Sequence, residues 1–186
     1  MAAEDPLALL DRALQQTGAI IARIQPHQAH LPTPCTAWDV RVLVNHTVHD
    51  LDLFASSLNG VERSAPDVDL IGTSWTDAYT AAANALLTAW RKRGTDSTLH
   101  LRIGDVPATW AVGQHLANMA VHGWDLARAT GQSTDLDPEV GQAALDWARE
   151  NLKPQFRGQA FGPEVSVPVD APLYDRLAAF FGRDPT

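Results

Sequence analysis

Residues 109–131 read Thr-Trp-Ala-Val-Gly-Gln-His-Leu-Ala-Asn-Met-Ala-Val-His-Gly-Trp-Asp-Leu-Ala-Arg-Ala-Thr-Gly. Ala, Leu, Met and Val dominate the stretch, which predicts a helix from about Thr109 to Thr130, with Gly131 as a left-handed cap. Advancing about 100° per residue, His115, Asn118, His122 and Asp125 fall within a wedge of about 80°. Four polar side chains on one face of an otherwise apolar helix have to be directed at something.

A second helix offers the matching face. It runs through Val40, Leu43, Val44, His46, Thr47, Leu51 and Phe54 to about Leu58, and stops at Asn59-Gly60. His46, His49 and Asp50 share one wedge of it, beside Asn45. Thr36-Ala37-Trp38-Asp39 before it resembles a capping box, with Asp in place of the usual Glu. Two such faces turned toward each other are how metal and ligand sites are built in bundle cores.

The remaining chain supplies more helices. Leu7, Leu10, Leu14, Ile20, Ile21 and Ile24 recur at three and four residues, giving a first helix from Pro6 to roughly Ile24 that Gln25-Pro26 ends. A third starts at Ser74, carries Trp75, Tyr79, Ala82, Leu86 and Trp90 on its core face, and ends at Gly94. Arg91-Lys92-Arg93 sits in its last turn, where cations offset the helix dipole. Residues 98–103 alternate and Gly104-Asp105 reads as a turn, so a short hairpin is expected there. Asp137-Pro138 opens a fifth helix reaching about Leu152, and Asp170-Ala171-Pro172 caps a last one through Phe181, closed by Gly182. The class is all-α: a four-helix bundle with one or two extra helices and a minor β-hairpin, in one domain over residues 1–186.

Composition bounds the function. A net charge of −8 with scattered basic residues argues against nucleic acid or an anionic membrane as partner. No run approaches the roughly 18 apolar residues of a membrane span. The N-terminus has neither a basic nor an apolar leader region, and Cys35 is the only cysteine, so a cytoplasmic protein is expected. Cys35 precedes a helix N-terminus, which would lower its pKa, although a buried inert thiol is the commoner case. The six tryptophans read as packing anchors with satisfied N–H groups, and Trp124, beside His122 and Asp125, as the first choice for a pocket wall. There is no phosphate-binding glycine loop, nucleophile elbow or Cys-x-x-Cys.

Thr33-Pro34-Cys35-Thr36-Ala37-Trp38-Asp39-Val40-Arg41, followed by Leu43-Val44-Asn45-His46, resembles the opening of the DinB-like bundles related to mycothiol-dependent maleylpyruvate isomerase. Val121-His122-Gly123-Trp124-Asp125-Leu126-Ala127-Arg128-Ala129-Thr130-Gly131-Gln132 is similar to the signature of actinobacterial metal-binding proteins in that superfamily. Leu177 to Pro185 looks like their usual ending.

The resemblance implies a DinB-like four-helix core with a divalent metal, zinc or nickel, and a low-molecular-weight thiol of the mycothiol type as co-substrate for a transferase or isomerase. It implies His46 and His122 as metal ligands. The third position, four residues before His122, is Glu in the family pattern and Asn118 here. Three outcomes stay open: Asn118 ligates, His115 or His49 replaces it, or the metal is gone and the pocket does acid–base work. His49, Asp50 and Asp125 are the candidates for proton transfer and ligand orientation, and Trp124 and His115 for substrate contact. A non-catalytic ligand-binding or stress-response module is the remaining alternative. The partner is a small molecule. Dimerisation is common in such bundles, but no interface stripe marks it here.

Overall fold

The structure, a computed structural model, describes residues 5–36, 38–61, 68–101, 104–153, 157–158 and 161–186. Ala37 of the expected capping box and residues 102–103 of the expected hairpin lie outside them. Helix α1 spans Pro6–Ile21, with Asp5 as N-cap accepting from the Leu7 N–H and Pro6 in the first helical position. It ends three residues before the apolar pattern does. Arg23 and Ile24 donate instead to Ile20 and Ile21 in tighter turns, and these keep Ile24 against the core after the helix has stopped.

Helix α2 spans Val40–Leu58, and its N-cap is Asp39, whose carboxylate accepts from the Val42 N–H. The capping box expected from Thr36 is therefore corrected by one turn. Both residues are good caps by type, and the backbone decides between them: the Trp38 N–H turns back onto the Cys35 carbonyl. Helix α3 spans Trp75–Arg93 with its three cations in the last turn, one of which, Arg91, reaches Asp11 of α1 at 3.1 Å.

Strands β1 (Thr98–Leu101) and β2 (Gly104–Pro107) pair antiparallel, Thr98 with Pro107 and Leu101 with Gly104. Gly104 and Asp105 thus open the second strand rather than forming the turn. A two-stranded ribbon is marginal alone, and this one is continuous with helix α4, Ala108–Ala129, whose first N–H bonds the Ser97 carbonyl.

Helix α5 (Pro138–Asn151) is capped by Asp137, which also pairs with Arg12 of α1 at 2.7 Å. Helix α6 (Leu173–Phe180) has Pro172 at its N-cap, with no side-chain cap from Asp170.

Helix α4 is the centre of the bundle. It packs on α1, α2, α5 and α6, while α3 lies on α1 and α2. Every residue from Val121 to Ala127 is buried, which is why a helix apolar nearly all round was needed here. One hydrophobic cluster runs through all six helices. No described helix is long and apolar enough to cross a membrane. The expectation that every indole N–H is satisfied fails at Trp90, which is fully buried with its N–H unpartnered.

The α6 C-terminus turns through Gly182 at φ +82°, so that the Arg183 N–H bonds the Ala178 carbonyl. A Cβ on Gly182 would also lie 2.7 Å from the Gly162 Cα. Gly182→Ala is expected to cost about 2 kcal/mol or more from the left-handed backbone and the clash combined, read as a lower midpoint in urea unfolding. A loss under about 0.5 kcal/mol, the scatter of neutral surface changes, would show that the turn simply relaxes.

Candidate functional site

The site begins with the loop that enters α2. The Thr33 hydroxyl donates to the Cys35 and Trp38 carbonyls, Pro32 and Asp39 form an isolated bridge, and the Val40 N–H bonds the Leu31 carbonyl. The prolines make this loop stiff. It folds Trp38 down onto α2, where the indole lies 4.2 Å from the His46 ring, tilted 34°, and 6.2 Å from the His122 ring.

His46 and His122 face each other across α2 and α4, with ring centroids 5.4 Å apart and planes at 86°. The His122 Nδ1 lies 3.1 Å from Asp125 Oδ2, one helical turn on. A carboxylate accepts, so Nδ1 donates to it and Nε2 is the nitrogen turned away from Asp125. Asp125 is 0% exposed and is held in turn by Arg183, 4% exposed. The guanidinium donates from Nε (3.3 Å) and Nη2 (3.1 Å), while its Nη1 donates to the Phe181 carbonyl. A chain of contacts therefore runs from the segment after α6 through Asp125 to His122.

Burial, and then the facing His122, push the His46 pKa down to about 4, against a smaller opposing pull from Asp50. His46 is neutral at physiological pH. It opens onto a cavity of about 440 Å³ that Trp38, Arg41, Asn45, His49 and Asp69 also line. His122, 5% exposed, lies behind it. Asn45 fixes the far wall, donating to the Val68 carbonyl and accepting from the Leu70 N–H.

The structure thus brings His46, His122 and Asp125 together, and puts His49 on the same cavity. Asp50 lies close enough to act on both His46 and His115. Asn118 lies one turn before His122 on the same face of α4. Two expectations are corrected. Trp124 is fully buried and its indole N–H donates to Asp175 of α6 at 3.1 Å, so it packs the core and forms no pocket wall. His115 is also closed off, 1% exposed, with Nδ1 bonded to the Ala111 carbonyl and its ring 3.9 Å from Phe54. Burial lowers its pKa.

Of the two readings of Cys35, the structure favours the commoner one: burial raises the thiol pKa, with Arg183 pulling the other way. The unforeseen members are Trp38, taken as a packing anchor, and Arg183, whose only signal was the shared ending around Gly182-Arg183.

The imidazole pair can be tested against a metal. On one tetrahedral ion, at about 2.1 Å per bond, two imidazoles keep their centroids roughly 5 Å apart, close to the 5.4 Å seen here. A carboxylate on the second nitrogen of a ligating histidine is the usual outer support, and Asp125 supplies it. The pair fits two corners of a site. Among the described residues no three His, Cys, Asp or Glu side chains gather to hold an ion.

An uncharacterized protein of Mycobacterium tuberculosis is 36% identical over 184 residues, covering 96% of this chain and 98% of its own. It is Rv0738 in strain H37Rv, and MT0763 of strain CDC 1551 matches to the same extent. No solved structure matches the chain significantly. The profile of the mycothiol maleylpyruvate isomerase N-terminal domain matches residues 10–127, a stretch that holds His46, His122 and Asp125 but not Arg183. With α1 to α4 arranged around the facing histidines, the chain belongs to the mycothiol maleylpyruvate isomerase N-terminal domain family.

Proposed function

We propose that the pocket holds a divalent metal, zinc or nickel, between His46, His122 and Asn118, and that the protein joins a mycothiol-type thiol to a small electrophile as a transferase or isomerase. The observation carrying this reading is the facing imidazole pair, one member oriented from behind by a buried carboxylate. When bound, the metal supplies positive charge that lowers the pKa of a thiol beside it, giving thiolate near neutral pH.

The chain's own groups do the rest. Asp125 holds the His122 ring through Nδ1, and Arg183 holds Asp125 in place. Trp38 covers the pair and limits water. His49, on the cavity with His46, accepts the thiol proton on an imidazole nitrogen as the sulfur forms its bond to carbon. It returns that proton to the product atom that has gained the electron pair.

The test is metal analysis of protein purified without added metal, followed by titration with zinc and nickel, for the native chain and for His46→Ala. The expected result is about one ion per chain, lost in the variant. Negligible binding by the native chain, or equal binding by both, overturns the metal reading.

A second reading is favoured by the lack of an anionic third ligand. His122, held by Asp125 as in an acid–base dyad, would then move protons in a cyclisation or isomerisation. It predicts activity that survives chelators but not His122→Ala.

A further inference from the structure

A second cavity, of about 510 Å³, lies where α5, α6 and the segment 164–169 meet, and shares no residue with the His46 cavity. Its volume is in the ordinary range for small-molecule sites. Arg149 of α5 and Arg176 of α6 line it, together with Glu164, Ser166, Val167 and Phe180. The wall segment is tied down, since the Val165 N–H bonds the Ala179 carbonyl at 2.9 Å.

The arginines are the unusual feature. The Arg176 Nε is buried with no hydrogen-bond partner. A guanidinium cannot give up its charge and has only donors, so a buried unmatched N–H is a standing cost. Among the described residues neither Arg149 nor Arg176 pairs with a carboxylate, although both line one cavity and the chain has a net charge of −8. Arginine forks match carboxylates and phosphates alike. Among the residues that line the cavity, two guanidiniums and the Glu164 carboxylate leave one positive charge, which a monoanion neutralises; the Arg157 guanidinium lies over the Phe180 ring beside it, bound to the Gly162 and Phe180 carbonyls. Val167, Pro168 and Phe180 supply apolar wall for the rest of the ligand.

We propose that this cavity binds a small monocarboxylate with an apolar body, its carboxylate held by Arg149 and Arg176. The site is independent of the chemistry at His46. Octanoate is the probe, titrated into the full chain by calorimetry, with amide and arginine Nε–H resonances followed by NMR. Binding is expected to shift the Arg176 Nε–H signal. Arg176→Gln and Arg149→Gln should each weaken it by about tenfold or more, the scale of a lost charge-assisted bond. Both variants should keep the native unfolding midpoint; if Arg176→Gln does not fold, Arg149→Gln carries the test. 1-Octanol should bind far more weakly than octanoate, and octyl phosphate no more tightly. Absence of octanoate binding, equal affinity in the variants, equal binding of 1-octanol, or preference for octyl phosphate each overturns the assignment.

Discussion

Asn118→Glu should raise the affinity for zinc or nickel by at least about tenfold, and on the order of a hundredfold once the carboxylate binds directly. The scale follows from what weaker changes do: outer partners that never touch the ion are worth about 10–100-fold in affinity. A direct anionic ligand in place of a neutral amide changes the charge of the site itself. His46 brings no charge, and Asp125 is engaged by Arg183 and by His122 Nδ1. A glutamate one turn before His122 would therefore bring an anion directly onto the ion. Competition against a chelator of known affinity measures the change, with circular dichroism confirming that α4 is intact. Unchanged affinity would place residue 118 outside the ligand sphere, and with it the proposed third ligand.

The fold was legible because each helix is written in a period that burial enforces. The apolar face of α1, the largely apolar α4 and the aspartate that opens α5 follow from local rules. What the rules missed lies in coil. Trp38 reaches His46 only because the proline loop folds back, and Arg183 reaches Asp125 across 58 positions; neither has a period to read. Trp124 was misjudged for the opposite reason. It is next but one to His122 in sequence, but two residues at about 100° each put it on the far side of α4. There it meets Asp175. Helix geometry already held that answer, and sequence proximity hid it. The facing of His46 and His122 was legible as two polar wedges, whereas the 5.4 Å spacing that makes them a pair needed the packing of α2 on α4.

Arg183→Met should be the most damaging single change to stability, because it leaves the Asp125 carboxylate 0% exposed with only the His122 ring as a side-chain partner. Breaking a buried pair by removing one partner costs about 3–5 kcal/mol, which in a chain of this size lowers the melting temperature by roughly 10 °C. Replacing both partners with apolar residues, Arg183→Met with Asp125→Leu, should recover most of that loss, since no charge is then left stranded. Metal affinity should not recover with it. His122 would lose the acceptor that fixes its Nδ1 proton, and affinity should stay about 10–100-fold below the native value. Urea unfolding and chelator competition on the two variants thus separate two roles of one contact. If the single variant costs under about 1 kcal/mol, the range of an exposed pair, Asp125 does not depend on Arg183. If stability and metal affinity return together in the double variant, Asp125 does not orient His122, and the pair serves the fold alone.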